Sequence, residues 1–443
     1  MAHILPFRAL RYDPLHVSLA DVLTQPYDKI TPAMQEGYYA RSPHNLIRFE
    51  LGRQEPGDGD ASNVYTRARD FLAEQQREAA LALDPQPSIY AYAQRFVNPV
   101  HRTERLERRG FIALGRLHEY CEGIVHRHEQ THAKAKADRL QLLETTHTHS
   151  GQIFMLYEDA EQDIDSVLWS AVGESRPDSY VIDEYGVENR LWRISDPAVI
   201  AVVTQAMHDK RLIIADGHHR YETALKYRNG QGPGDGDSAH DYVMMTFVNM
   251  RAPGLIVLPT HRVVHGLKNF LTAPMLDRLH PFFEVMPMSA GVDVAGALDE
   301  ISGAEQQSSI VLMTGGEAYL LRPRREAIEK ALADEHPIRR KLGVVVLHKI
   351  IFERLMGMTE ESIRNQEHIR YYRSAQEALT DAQTNGNAAF LLNAAPVDMM
   401  AELSYAGEVM PQKSTDFYPK LLSGLALYNL DQSFVPAKAM TVE

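Results

Sequence analysis

The segment Asp216-Gly217-His218-His219-Arg220-Tyr221 gathers several side chains that could do chemistry, between a predicted apolar strand and a predicted helix. A glycine at such a turn lets the backbone approach a ligand, and the helix N-terminus behind it offers unpaired N–H groups to an anion. The arginine adds a planar donor fork suited to phosphate. The aspartate can bind magnesium or accept a proton, and the histidines can act as donors or as an acid/base pair. The pattern indicates phosphate chemistry at a strand-to-helix junction.

The alternative for this segment is a purely structural turn. In that case the histidines would cap the helix and the arginine would form an ordinary ion pair. Five polar or turn-forming residues between two apolar elements are costly to bury without a purpose, so we favour a functional site.

A second pattern, His128-Glu129-Gln130-Thr131-His132, matches the His-Glu-x-x-His motif of zinc hydrolases. On a helix the two imidazoles would share one face, and the glutamate would activate zinc-bound water. The flanking residues are polar, whereas such helices are usually buried, and no Gly-x-x-His continuation follows. Glu161 and Asp165 have the spacing of another zinc subclass but fall in a predicted acidic loop. We keep a zinc metallohydrolase as an alternative and expect a non-metallic role for His132.

The first segment resembles the phosphate-binding signature of the ParB/sulfiredoxin superfamily, a Gly-x-His-Arg-type turn, whose members include kinases of free serine. Nearly the whole chain also resembles the family catalogued as domain of unknown function 1015. The segments that carry this wider resemblance are Gln25-Pro26-Tyr27-Asp28, His128-Glu129-x-Thr131, Lys136-x-Asp138-Arg139, 216–221, Leu258-Pro259-Thr260-His261-Arg262, 410–415 and 417–420. Members of that family have been linked to serine kinase activity.

The resemblance implies a small-molecule kinase that transfers a phosphoryl group to the hydroxyl of free L-serine, giving O-phosphoserine. The donor would be ATP, ADP or pyrophosphate, and we expect a requirement for Mg²⁺. Besides the zinc hydrolase, a third interpretation is a non-catalytic nucleotide-binding regulator, because ParB-like turns bind nucleotides. The acceptor could also be another small alcohol, since it would need the same groups.

Catalysis of phosphoryl transfer is mostly positioning and charge neutralisation, and these segments supply suitable groups. The catalytic candidates are Glu129, as the base, with Asp216, His218 and His219. Asp28 and Asp138 are further carboxylates that could take the proton or hold metal, and Asp216 is the candidate magnesium ligand. The candidates for binding phosphate or substrate are Asp28, Lys136, Arg139, Gly217, Arg220, His261, Arg262, Lys413, Ser414, Thr415 and Lys420.

The bulk composition limits partners and location. The net charge of −13 repels nucleic acid, and the one basic stretch, 102–109, is interleaved with Glu104 and Glu107, which favours a solvated hairpin or helix face. No apolar run approaches the roughly 20 residues that span a bilayer. The single cysteine, Cys121, excludes intrachain disulfides and fits a reducing compartment. We expect a cytoplasmic protein with a small-molecule substrate and no nucleic-acid or membrane partner; its oligomeric state stays open.

The patterning predicts a mixed α/β (α+β) multi-layer fold. We expect a ParB/sulfiredoxin-like phosphate-binding core with additional N- and C-terminal α/β parts, in three regions: 1–85, 86–265 and 266–443. The predicted strands cover 46–49, 88–92, 110–114, 153–157, 212–215, 242–248, 309–313 and 389–392, with the second and third paired as a hairpin. The predicted helices cover 64–83, 133–146, 197–207 (capped by Asp196), 221–227 and 344–355.

Overall fold

The computed structural model describes residues 1–129, 134–232, 237–267, 272–288, 294–301 and 307–436, with the side chains of 134–136, 272 and 294–295 left out. The chain forms two compact units. Unit 1 comprises Met1–Arg127, Thr131–Leu255 and Pro419–Glu443, and unit 2 comprises His128–Gln130 and Ile256–Tyr418. The predicted boundary at 265/266 lies shortly after the point where the chain enters unit 2 for its long segment, and that at 85/86 lies inside unit 1.

The strands of the described residues are numbered in chain order. They are β1 (Ile4–Leu5), β2 (Leu10–Tyr12), β3 (Leu81–Leu83), β4 (Ile89–Val97), β5 (Arg105–Arg116), β6 (Val125–Arg127), β7 (Thr148–His149), β8 (Ile153–Tyr157), β9 (Ser179–Ile182), β10 (Glu188–Ile194), β11 (Leu212–Asp216), β12 (Tyr242–Asn249), β13 (Ile256–Leu258), β14 (His261–Val264), β15 (Phe283–Pro287), β16 (Ile310–Thr314), β17 (Glu317–Pro323), β18 (Ile369–Tyr372), β19 (Ala388–Leu392), β20 (Asp416–Tyr418) and β21 (Tyr428–Asn429).

The α-helices of the described residues follow the same order. They are α1 (Leu19–Val22), α2 (Pro32–Arg41), α3 (Ile47–Glu50), α4 (Val64–Arg77), α5 (Lys134–Thr146), α6 (Asp163–Val172), α7 (Pro197–Met207), α8 (His218–Gly230), α9 (Thr272–Leu279), α10 (Val294–Asp299), α11 (Arg325–Ala331), α12 (Gly343–Val346), α13 (Glu360–Arg364), α14 (Ala375–Thr384) and α15 (Val397–Tyr405). The helix α12 continues directly into a π-helix, Leu347–Leu355.

Unit 1 is built on a nine-stranded mixed sheet in the order β6-β11-β8-β12-β5-β4-β10-β9, with β1 also paired to β5. β11 runs parallel to β6, and β12 runs parallel to β8, while the other pairs are antiparallel. All five residues of β8 are buried, as expected of a central strand covered on both faces. The core beneath combines strand residues with apolar positions of α6, α7 and α8.

Unit 2 holds a six-stranded antiparallel sheet in the order β15-β17-β16-β19-β14-β18. Its core includes Val263, Val311 and Leu391 from the central strands, with Ala378 from α14. A short antiparallel pair, β13 with β20, is separate from this sheet. With several sheets and helices in both units, the predicted mixed α/β class is confirmed.

The predicted hairpin and most predicted elements are confirmed. β4 and β5 pair antiparallel from Tyr90 with Ile112 to Val97 with Arg105. The cap of α7 is also as expected, because the Asp196 side chain accepts a hydrogen bond from the N–H of Ala198 at 2.8 Å.

Three element predictions were wrong. Residues 46–49, predicted as a strand, lie in and just before α3, since the Asn45 side chain accepts the N–H of Ile47 at 2.9 Å and starts a helical turn. The predicted helix 64–83 ends at Arg77, because Ala79 adopts a φ of 58° and the chain then forms β3. The helix predicted from 221 begins at His218, so the two histidines occupy its first turn.

Candidate phosphate-binding site

In unit 1, β11 ends on Asp216 and α8 begins at His218, with Gly217 as the single connecting residue. Gly217 has a φ of 91°, a left-handed conformation that glycine adopts without the steric cost of a side chain. The Asp216 Oδ1 accepts the N–H of Gly217 at 3.0 Å, which fixes the carboxylate at the start of the helix. His218 and His219 are half-buried in the first turn, where N–H groups lack intrahelical partners. The turn therefore has the geometry of an anion site at a helix N-terminus.

Arg220 passes between two glycines. A Cβ placed on Gly151 would lie 3.0 Å from its Nη1, and one on Gly217 would lie 3.1 Å from its Cζ. The Nη1 group donates to the backbone carbonyl of Gln152, whose side chain in turn accepts from the Thr246 hydroxyl. A side chain at either glycine would press on the guanidinium, so both glycines leave room for the arginine in this position.

Asp216 is surrounded by cations of unit 1. Its Oδ2 lies 3.3 Å from Lys420 Nζ and 3.9 Å from Arg220 Nη2. Burial alone would raise the pKa of the Asp216 carboxyl, but Lys420, Arg220 and Lys29 outweigh it and hold that pKa far below its ordinary value. A carboxylate so strongly held in its charged form is a poor proton acceptor.

A buried arginine lies behind this turn. Arg108 donates to the side chain of Gln94 and, at 2.6 Å, to the carbonyl of Pro419, and its guanidinium lies 4.6 Å from the centre of the Phe154 ring. Burial lowers its pKa to about 10, and Asp216 acts in the opposite direction. The expectation that stretch 102–109 is a solvated face is therefore wrong for Arg108, which is 2% exposed.

Residues of the N-terminal segments and of α5 contact one another in the same unit as the Asp216 turn. The Arg139 guanidinium lies 4.6 Å from the centre of the Tyr27 ring and donates to Asp138 and to the Glu50 carbonyl. Asp28 lies in the short 3-10 turn Tyr27–Lys29. Arg139 and Arg220 line the same cavity, whereas the side chain of Lys136 is outside the described residues.

A second group of predicted residues meets in unit 2. The Glu129 Oε1 accepts the backbone N–H of Lys413 at 2.6 Å, and Arg262 Nη2 donates to the Lys413 carbonyl at 2.9 Å. Lys413 adopts a φ of 56°, unusual for a residue with a side chain. His128 Nε2 lies 2.6 Å from the Thr415 hydroxyl. The carboxylate of Glu129 is thus held by the backbone of the same segment that carries the Lys-Ser-Thr residues.

The remaining predicted residues of unit 2 have structural contacts. Ser414 donates to the Pro411 carbonyl, which closes a local turn. His261 lies in the sheet core, where its Nδ1 accepts the N–H of Leu392 at 3.2 Å, and burial with the Arg262 charge lowers its pKa to about 3. It is therefore neutral and contributes no positive charge for phosphate.

The zinc motif can be followed over its first two residues only, since Gln130, Thr131 and His132 lie outside the described residues. His128 and Glu129 are not helical, and α5 begins at Lys134. Within the described ranges, no group of three or more histidine, cysteine or acidic side chains is placed to hold a metal ion.

Sequence reasoning missed several residues of the unit 1 site: Lys29, Glu50, Arg108, Gln152 and Thr223. Lys29 directly follows the Gln25-Pro26-Tyr27-Asp28 segment, which was the one available signal. The others come from elements distant in sequence, and no spacing rule connects them to the Asp216 turn.

A family model described as "Protein of unknown function (DUF1015)" matches residues 4–345. The chain belongs to this family. No curated protein matches the DUF1015 chain. Among solved structures, it is similar to a free serine kinase in complex with ADP, with TM-score 0.35 and 14% identity over 68% of this chain and 89% of the other.

Two further structures are similar to the DUF1015 chain at the same level. A conserved hypothetical protein from Pyrococcus furiosus has TM-score 0.34 and 14% identity, over 70% of this chain and 93% of the other. SbnI from Staphylococcus aureus, with a C-terminal truncation, has TM-score 0.31 and 12% identity, over 68% and 84%.

Within the described ranges, the DUF1015 chain has no helix with the length and apolar composition of a membrane span.

Proposed function

We propose that this DUF1015 chain is a small-molecule kinase that phosphorylates the hydroxyl of free L-serine. The supporting observation is the Asp216 turn of unit 1. It combines the N-terminus of a thirteen-residue helix, a left-handed glycine and a carboxylate kept ionised by Lys420 and Arg220. Helix N-terminal N–H groups and adjacent cations stabilise the charge of a transferred phosphoryl group.

In the proposed reaction, the serine hydroxyl oxygen attacks the terminal phosphorus of ATP, ADP or pyrophosphate. The new O–P bond forms as the bridging P–O bond breaks, and its electron pair leaves on the shortened nucleotide or on phosphate. The hydroxyl proton passes to a carboxylate base. Asp216 is unsuited to that role because its pKa is held so low.

Magnesium fits the chemistry of Asp216. The cation is usually held in kinase sites by one or two carboxylates, with waters and substrate phosphates as its other ligands, so a single ionised aspartate suffices. When bound, it would neutralise charge on the donor phosphates. Asp216 would hold it, while the first turn of α8, with His218, His219 and Arg220, would position the phosphoryl oxygens.

The test is to incubate purified protein with L-serine and Mg²⁺, with ATP, ADP and pyrophosphate supplied separately, and to detect O-phosphoserine by mass spectrometry. We expect product with at least one donor. No product with any donor, together with stoichiometric bound zinc, would transfer the assignment to the hydrolase. Nucleotide binding that serine does not alter, again without product, would favour the non-catalytic regulator.

A further inference from the structure

A small cavity of about 50 Å³ lies in unit 1 beside Arg220. Its walls come from four parts of the chain and include Tyr27, Glu50, Arg139, Ser150, Arg220 and Thr223. Arg220 belongs both to this cavity and to the Asp216 turn, so a molecule in the cavity would lie next to the proposed phosphate site.

Glu50 contributes a buried carboxylate to this cavity. Its residue is 1% exposed, and its two oxygens accept hydrogen bonds from the hydroxyls of Ser150 and, at 3.2 Å, Ser423. Among the described residues, no lysine, arginine or histidine lies within salt-bridge distance of it. A buried charge is costly without a countercharge, so this wall is prepared for a cationic group.

The opposite charge is supplied by two arginines. Arg139 Nη1 donates to the backbone carbonyl of Glu50 at 2.7 Å, which holds the guanidinium at the cavity wall through the main chain and not through the Glu50 carboxylate. Arg220 lines the same cavity. Burial lowers the pKa of His149, another wall residue, to about 4, so this imidazole is neutral and adds no further charge.

An unused hydroxyl completes the wall. Thr223 is 4% exposed, and its Oγ1 is buried with no hydrogen-bond partner within the described part of the chain. A buried polar atom without a partner costs about 1–3 kcal/mol, and a ligand that hydrogen-bonds to it would recover that cost.

We propose that this cavity binds the zwitterionic head group of a small α-amino acid. The ammonium group contacts Glu50, the carboxylate contacts Arg139 and Arg220, and Thr223 supplies one further hydrogen bond. That serine is the acceptor rests on the proposed kinase function, whereas the head-group site stands on the cavity itself.

The first experiment measures binding without any phosphoryl donor, by calorimetry on the full chain. The probes are L-serine, ethanolamine, which lacks the carboxylate, and L-glycerate, which lacks the ammonium group. We expect L-serine to bind about tenfold to a hundredfold more tightly than either analogue, the usual effect of losing a charge-assisted hydrogen bond. Equal affinity for L-serine and L-glycerate would overturn the assignment of Glu50.

The second experiment uses variants. Glu50→Gln keeps acceptors for Ser150 and Ser423 but removes the charge, so it should weaken L-serine binding by about tenfold or more and leave L-glycerate binding unchanged. Thr223→Val removes the hydroxyl at constant shape and should weaken L-serine binding by a smaller factor. The matched control is Glu158→Gln, at an exposed carboxylate of the same unit, which should bind L-serine like the wild type.

Failure of this inference is distinguishable from failure of the kinase proposal. Tight, Glu50-dependent L-serine binding without O-phosphoserine formation would support the cavity assignment and remove the kinase. O-phosphoserine formation with an unchanged KM for serine in Glu50→Gln would support the kinase and overturn the cavity assignment.

Discussion

At the scale of single residues, the Asp216–Lys420 pair has two roles. The Asp216 charge takes part in the proposed chemistry, and its contact with Lys420 stabilises the fold. Lys420 is 9% exposed, and its ammonium group lies 3.3 Å from the Asp216 carboxylate, so the two charges stabilise each other. An isosteric change of Asp216 would therefore alter both stability and turnover, and a second change at Lys420 can separate the two.

We expect Asp216→Asn to lower the free energy of unfolding by about 1–3 kcal/mol and to reduce turnover by about a hundredfold or more. The double variant Asp216→Asn/Lys420→Met should recover part of the stability and none of the turnover, because it removes one of the cations that Asp216 neutralises. Denaturant unfolding and the O-phosphoserine assay measure the two effects. Asp209→Asn, at an exposed position of the same unit, is the control. Recovery of turnover in the double variant would contradict the role of Asp216.

Lys413 offers a test of one side chain in unit 2. Its backbone N–H and carbonyl make the contacts with Glu129 and Arg262, and an alanine keeps both. Lys413→Ala should therefore preserve the melting temperature and lower turnover by about tenfold or more, if the ammonium group binds phosphate. Lys341→Ala, at an exposed lysine of the same unit, should change neither. An unaltered rate in Lys413→Ala would remove this residue from the site.

Asp165 of α6 should make the free energy of unfolding depend on pH, independently of catalysis. Burial and the Asp159 charge raise its pKa to about 6, so the folded protein binds a proton there more tightly than the unfolded chain does. Above pH 6 the ionised Asp165 carboxylate therefore destabilises the folded protein, and this destabilisation decreases as the pH falls from 6 towards 4 and the carboxylate is protonated. Asp165→Asn should raise the free energy of unfolding by about 1–3 kcal/mol at pH 7.5 and by roughly half as much at pH 5.

Denaturant unfolding at the two pH values measures this effect. Asp163→Asn, an exposed position in the same first turn of α6, is the control, and its effect should not change with pH in the same way. A pH-independent effect of Asp165→Asn would contradict the raised pKa.

At the scale of elements, the strand-turn-helix around Asp216 could be predicted from the sequence because its signals are local. An apolar strand, a glycine and a polar turn follow one another directly in the sequence, so short-range preferences are enough to define the conformation. The same holds for β8 and for the Asp196 cap. The short helix α3 could not be predicted, because Leu46 to Phe49 have strand-like composition and a single Asn45 side chain decides the conformation.

The rest of the candidate site depends on distant pairings. Lys420 was predicted as a phosphate ligand, yet its contact with Asp216 results from the return of the C-terminal segment to unit 1. Glu50 had no local signal at all, since a glutamate at the end of a short helix is ordinarily solvated. Its burial appears only once Ser150 and Ser423 are next to it.

Substitutions of the two glycines beside Arg220 can distinguish the effect of backbone strain from the effect of displacing the arginine side chain. Gly151→Ala places a Cβ 3.0 Å from Arg220 Nη1, at a residue without a left-handed φ, so it should displace the guanidinium at a small cost in stability. Gly217→Ala adds about 1–2 kcal/mol of backbone strain at φ 91° to a similar displacement. We expect both variants to weaken nucleotide binding, and only Gly217→Ala to lower the melting temperature by several degrees.

Calorimetric titration with ATP and thermal unfolding measure the two effects. Gly123→Ala also has a left-handed φ but has open space around its Cβ, and it controls for strain alone. Nucleotide binding unchanged in Gly151→Ala would show that the position of Arg220 does not matter.

At the scale of the whole molecule, unit 1 is completed by a segment that follows unit 2 in the chain. Leu422, Leu425, Leu427 and Tyr428 are all at most 2% exposed. Leu427 pairs with Leu10, so the last described segment is fixed to the first. Truncating the buried side chains of this returning segment should therefore destabilise unit 1, although the segment lies more than 400 residues after the first residue of that unit.

We therefore expect Leu427→Ala to lower the free energy of unfolding by about 2–5 kcal/mol, the range for a large-to-small change in a core. The exposed neighbour Gln432 provides the control, and Gln432→Ala should change it by less than about 0.5 kcal/mol. Denaturant unfolding, followed by far-UV circular dichroism, measures both. A small effect of Leu427→Ala would mean that the returning segment contributes little to the core.

The same connectivity has a consequence for biosynthesis. Asp216 leaves the ribosome long before Lys420 is made, and at roughly 5–20 residues per second the interval is on the order of 10–40 seconds. During that time the strand and helix on either side of Gly217 can form, but the carboxylate lacks the lysine that neutralises it. The proposed site is therefore incomplete until Lys420 has been synthesised and has reached unit 1, and we expect nucleotide affinity to appear only after that step.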